Sequence, residues 1–197
     1  LPAGGTFNNA GSWGGGVVPG ASDVARFSLT PNTFPAPIPA AYTVSFSAQA
    51  SNQGLVVGGD FVTLDLNGAI YRTPDADNRI GTVPGQSGRL VVVDGFWEDN
   101  LGGILEIGSN GRGTLIVSTG GSIFGEEVLV GGNGGGGTLI IQNGGVMTSP
   151  RISLGPASPA TATVTGANSR LSLQSLGVGN GFNSTLSVLA GGLLDND

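Results

Sequence analysis

Between Leu105 and the carboxyl end, one arrangement of apolar and polar positions is written four times. An apolar residue, a spacer, a second apolar residue and a glycine recur as Leu105/Ile107-Gly108, Val128/Val130-Gly131, Ile152/Leu154-Gly155 and Leu176/Val178-Gly179. The second apolar members advance in steps of 23, 24 and 24 residues. Behind each set lies a strand-like unit: Thr114-Leu115-Ile116-Val117, Thr138-Leu139-Ile140-Ile141, Thr163-Val164-Thr165 and Thr185-Leu186-Ser187-Val188. A third apolar position follows a small-residue turn, at Ile123, Val146, Leu171 and Leu193. Alternation with a period of two marks half-buried strands, and glycine, asparagine and serine between the runs mark turns.

Self-similarity at this period is the signature of a solenoid. The pattern predicts an all-β chain, a single-stranded parallel β-helix with three short strands per coil of about 23–25 residues. One coil cannot bury its own apolar residues, but stacked coils can. The expected columns place Leu105 with Val128, Ile152 and Leu176, and Leu115 with Leu139, Val164 and Leu186. Burying each member contributes about 1.5–3 kcal/mol. An antiparallel sandwich also has short strands and turns, but it gives no reason for three positions to recur together.

Upstream, Leu55-Val56-Val57-Gly58 opens the regular coils, and Ile80-Gly81 follows 23 residues after Val57. The next step, to Ile107, is 27 residues. The surplus is assigned to Phe96-Trp97-Glu98-Asp99-Asn100, since insertions in a solenoid emerge as loops. Six marks (57, 80, 107, 130, 154 and 178) predict a rod on the order of 30 Å at about 4.8 Å per coil. Residues 1–50 are less regular, with Pro31, Pro35, Pro37 and Pro39 interrupting the pattern. They are expected to form an amino-terminal cap with edge strands, and 51–197 the coils. Trp13 is assigned to packing within that cap. Gly191-Gly192-Leu193-Leu194-Asp195-Asn196-Asp197 supplies no polar cap, so the parent protein is expected to continue.

Composition narrows the chemistry. Glycine is 38 of 197 residues, which disfavours helix at about 0.8–1 kcal/mol for each interior glycine. Net charge is −6, and the basic residues are seven arginines with no lysine or histidine. That balance argues against nucleic-acid partners, which need a basic footprint. No apolar run approaches the roughly 18 residues of a membrane-spanning helix. Cysteine and histidine are absent, excluding Ser-His-Asp and Cys-His catalysis and the usual zinc sites. Without lysine, Schiff-base chemistry is excluded too. Gly131-Gly132-Asn133-Gly134-Gly135-Gly136-Gly137 joins two strands and opens no helix, so it reads as a corner of the coil.

Carboxylates are the remaining acid–base candidates. Asp94, Glu98 and Asp99 flank Trp97, a combination suited to a polysaccharide cleft, although solvated loop acids are the simpler expectation. An eliminating enzyme would add calcium-binding acids and a base such as Arg89 or Arg112. Asp75-Ala76-Asp77-Asn78 has oxygen-ligand spacing, which makes calcium a candidate cofactor. Glu126-Glu127 has no acidic counterpart in neighbouring coils and reads as a solvated corner. An outward ladder (Thr114/Ile116, Thr138/Ile140, Thr163/Thr165, Thr185/Ser187) could order water or hold an extended glycan, though β-branched residues simply suit strands.

The run Trp13…Val18-Pro19-Gly20-Ala21-Ser22-Asp23-Val24-Ala25-Arg26-Phe27, followed by Gly-Thr-Leu and Gly-Gly repeats, resembles bacterial exported repeat proteins. These are the autotransporter-type passenger β-helices and the surface proteins that carry a PEP-CTERM sorting tail. The resemblance implies a surface or secreted solenoid; the repeat, the absent catalytic residue types and the unfinished carboxyl end lead to the expectation of a non-enzymatic extracellular or cell-surface structural or adhesive segment. The resemblance transfers no catalytic, cofactor or metal residues. The competing readings are a carbohydrate-active β-helix with its site near 94–100, and a glycan- or ice-binding module using the threonine ladder. Expected partners are a surface polysaccharide or another surface protein. Exposed terminal rungs also favour end-to-end self-association.

Overall fold

The computed structural model describes residues 4–29, 38–74, 78–179 and 182–196. They form a parallel β-solenoid whose only helical element is the 3₁₀ turn Ala10–Ser12. Every paired strand runs parallel to its neighbours, and the pairing partners lie one coil apart. The first-face column reads Phe27, Val57, Ile80, Ile107, Val130, Leu154 and Val178. All six marks read from the sequence stand in one line, with Phe27 added ahead of them.

Each coil has three faces. The first carries that column and the column Ala25, Leu55, Asn78, Leu105, Val128, Ile152 and Leu176. The second is an eight-stranded sheet with inward columns Tyr42-Val62-Leu90-Leu115-Leu139-Ala162-Leu186 and Val44-Leu64-Val92-Val117-Ile141-Val164-Val188. The third stacks Ala50, Tyr71, Trp97, Ile123, Met147, Leu171 and Leu194. The third face of one coil bends into the first face of the next, so strands such as Gly121–Val130 serve both.

Three expected placements are corrected. Val164 does not stand with Leu139; Ala162 does, and Val164 joins Ile141. Val146 and Leu193 are not the inward third-face members; Met147 and Leu194 are, while Val146 and Leu193 both pair with Arg170. Ala162 and Val164 both face inward, so the slip there is two residues along the strand, whereas Met147 and Leu194 replace neighbours of the opposite parity, only one of which can face the interior. The surplus residues of the long coil are also displaced. Gly95–Asp99 pairs without interruption with Gly121–Gly125, and the register shift falls between Asp99 and Ile104.

Parallel pairing extends upstream of the expected first coil. Val24–Phe27 and Ala41–Ser45 join the first and second faces, and Ala50–Ser51 begins the third. Ahead of them, Trp13 closes the amino-terminal end. Its indole Nε1 donates to the Phe7 carbonyl at 2.8 Å, and its ring meets the Phe7 ring edge-on at 5.0 Å. The interior here is aromatic: Phe7 stacks on Phe46 at 4.5 Å, and Phe46 touches Tyr71, which faces Trp97. Where these large rings sit, the adjoining column positions are small, Ala25 and Ala50. Beyond Trp97 aliphatic residues fill the same positions.

Corners explain the glycines. Gly108 has φ +83°, and a Cβ there would lie 2.2 Å from the Gly136 carbonyl oxygen. That is why a glycine follows Ile107, and Gly131 and Gly155 answer the same demand in later coils. At the other corner Asn67-Gly68 and Asn143-Gly144 take two consecutive left-handed conformations, a preference built into Asn-Gly.

Two measurements follow from this packing. Leu139 is fully buried mid-column while Ile140 beside it faces outward. Leu139→Ala is therefore expected to lower unfolding free energy by about 2–5 kcal/mol in urea titration, and Ile140→Ala by much less. Burial pushes the Tyr71 pKa well above its ordinary value, and the hydroxyl has no hydrogen-bond partner among the described residues. An unfolded tyrosine ionises near about pH 10. Stability contributed by the neutral native side chain is complete below that pH and declines as pH rises above it. Melting temperature should fall more gently between about pH 10 and 12 in Tyr71→Phe than in the wild type, with no loss at neutral pH.

Candidate functional site

The acidic candidates separate into three environments. Asp94 is exposed at a corner with φ +50°. Glu98 points outward and pairs with Arg72 of the preceding rung at 2.7 Å. Asp99, expected in a solvated loop, is instead fully buried inside the tube, as is Trp97. Alternation decides this: Trp97 and Asp99 share the inward parity and Glu98 the outward one. The three carboxylates share no groove among the described residues, and Arg89 and Arg112 lie on the opposite sheet. Of Asp75-Ala76-Asp77-Asn78, the first three lie outside the described residues, and Asn78 faces the interior. Among the described residues no group of three acids assembles as a metal would require.

Around Asp99 the interior becomes polar. Asn78 Nδ2 donates to Asp99 Oδ1 at 2.7 Å and to Thr73 Oγ1 at 3.1 Å. Trp97 Nε1 donates to the same Thr73 oxygen at 2.9 Å. Asn78 Oδ1 accepts from the Leu55 amide at 2.7 Å, tying the cluster to the neighbouring strand. Asn78 occupies a column position that is Leu55 below and Leu105 above. Its presence was legible by counting two residues back from Ile80; its partners were not, because Asp99 arrives from a different face. Buried groups linked this way specify one register and are costly to break.

Glu106 is a second buried carboxylate that sequence reasoning missed. It stands on the outward side of the first face, yet is almost wholly covered. Ser109 Oγ donates to it at 2.8 Å, the Asn133 amide at 3.1 Å, and Arg79 lies 3.6 Å away. The glycine-rich corner folds over it. A Cβ on Gly132 would fall 2.0 Å from Glu106 Oε1, so the run of glycines lets backbone cover the carboxylate. The corner anchors on the chain's own anion. Glu127 and Glu126 are likewise engaged, Glu127 with Arg151 at 3.1 Å and Glu126 with the Gly102 amide.

The outer surface of the second face carries the threonines in a different register from the one expected. Thr161, not Thr163, stands between Thr138 and Thr185, giving the column Arg89, Thr114, Thr138, Thr161, Thr185. Thr163 continues the column of Ile116 and Ile140, ending at Ser187. Arg89 lies over the Phe61 ring, 5.0 Å from its centre. Beside the threonines runs an open groove of about 1120 Å³, bordered by Arg112, the 134–137 corner, Pro159 and Phe182.

No family model, curated protein or solved structure matches the chain. The class is therefore defined by the geometry alone: a parallel β-solenoid of six turns between Phe27 and Val178. The interior cluster yields a direct check. Asn78→Leu restores the apolar column but strips Asp99, Thr73 and the Leu55 amide of a partner. It should destabilise by about 2 kcal/mol or more in chemical denaturation. Unchanged stability would show that Asn78 is a passive filler.

Proposed function

We propose that this chain is a structural segment of a secreted or surface-exposed bacterial solenoid, a stiff spacer or adhesive stalk rather than an enzyme. The observation that carries the reading is the unbroken stacking of inward columns over seven rungs. Such a rod gains length by repetition, each rung contacting only its neighbours. Ion pairs add lateral stitching: Arg72–Glu98, Glu127–Arg151 and Arg170–Asp195 each join adjacent rungs on the outside. The resemblance to exported repeat proteins supports the location, and the glycine-rich, acidic composition is compatible with it.

The competing enzyme reading requires two carboxyls facing one substrate across about 5–9.5 Å. Glu98 outside the tube and Asp99 inside it do not face one substrate. Incubation with acidic and neutral polysaccharides is expected to release neither new reducing ends nor unsaturated products. Release that disappears in Glu98→Gln would overturn the proposal.

End-to-end association is the partner proposal that goes with the rod. In the last described rung Val178, Val188 and Leu194 are each about two-fifths exposed, although their counterparts one rung earlier, Leu154, Val164 and Leu171, are buried. Unpaired strand edges flank them, a template for further pairing. Light scattering should show mass rising with concentration, and Val188→Lys should suppress the rise. A strict monomer throughout would defeat this partner assignment.

A further inference from the structure

We infer that the groove on the outer surface of the second face binds an anionic glycan, carboxylated or sulfated. The inference goes beyond the rod reading and does not depend on it. Charge distribution is its first support. Acids outnumber bases by 13 to 7 in this chain, yet no aspartate or glutamate lines the groove. The ion pairs Arg72–Glu98, Arg79–Glu106, Glu127–Arg151 and Arg170–Asp195 all lie on the first and third faces. Arg112 borders the groove, is exposed, and has no carboxylate partner among the described residues. An unpaired guanidinium presents a planar fork suited to a carboxylate or sulfate.

Shape and periodicity supply the rest. Arg112 follows the line of Gly136, Pro159 and Asn183 across successive rungs, so Arg112 and Phe182 lie about three rungs, or roughly 14 Å, apart. That separation suits a short oligosaccharide better than a single ring. Phe182 is 43% exposed and offers an apolar ring face on which a sugar can rest. Between the two ends the floor is glycine, at 134–137, so a ligand can approach the backbone. Thr138 and Thr161 present hydroxyls 3.4 Å apart along the wall, and Thr114 and Thr185 extend the row. Each hydroxyl can donate and accept, as sugar hydroxyls require. A regular row at about 4.8 Å spacing favours an extended chain over a compact ligand.

Calorimetric titration of the purified chain tests this with three probes: tetragalacturonate, a sulfated galactan tetrasaccharide and a neutral galactose tetramer. At least one acidic tetramer should bind, with the neutral one tenfold weaker or worse, and added salt should weaken the acidic interaction. Arg112→Gln should reduce acidic binding about tenfold. Thr161→Glu, which places a carboxylate in the groove, should abolish it. Both positions are exposed, and unchanged circular dichroism confirms that the variants fold. Which acidic probe binds distinguishes carboxylate from sulfate. Failure of both acidic tetramers at millimolar concentration, equal binding of the neutral tetramer, or indifference to Arg112→Gln would each overturn the assignment.

Discussion

The distance between paired strands governs this molecule. Coils stack at about 4.8 Å, so each inward side chain must fit against the side chains directly above and below it. A column accepts a change of size only when a neighbouring column compensates. The third face shows the trade: Ala50, Tyr71 and Trp97 succeed one another, and the rings of Phe7 and Phe46 complete the same layer. From Ile123 onward the column returns to aliphatic residues, and so does its surroundings. Glycine at the corners is a consequence of the same spacing, because backbones of successive coils pass too close to admit a Cβ.

Inside the tube one set of polar side chains is joined by mutual hydrogen bonds. Thr73, Asn78 and Asp99 meet where the third face turns into the first, beside the coil that carries its surplus residues at 100–103. An irregular coil threatens the register of everything after it. A hydrogen-bonded set with directional requirements fixes that register more tightly than interchangeable methyl groups do. The outer charges act in the same direction on the first and third faces, where arginine and carboxylate of adjacent rungs are paired. Among the described residues the second face carries no such pair, and its hydroxyls, Arg112 and glycine-floored groove face solvent.

A solenoid separates two tasks that a globular domain must combine. Inward positions supply cohesion and repeat; outward positions are under no packing obligation and differ from face to face. The buried status of Glu106 is the informative exception. It stands outside the tube, but the corner at 131–136 closes over it and converts an outward residue into a structural one. Loops decide such cases, not strand parity.

Architecture and phase were legible in the chain itself. Val57, Ile80, Ile107, Val130, Leu154 and Val178 were marked by the glycine corner after each of them, because that corner recurs at a fixed point of every coil. Away from the corner the sequence lost the phase. Ala162 was passed over for Val164, two residues along the same inward side, and Met147 for its neighbour Val146, because hydrophobicity alone fixes neither the step nor the parity of a short strand. Only the residue stacked one coil away settles that choice. The same limit hid the cluster around Asp99 and the groove beside Arg112: each joins residues from different coils. A repeat announces itself along the chain, whereas contacts between rungs exist only after the coils have stacked.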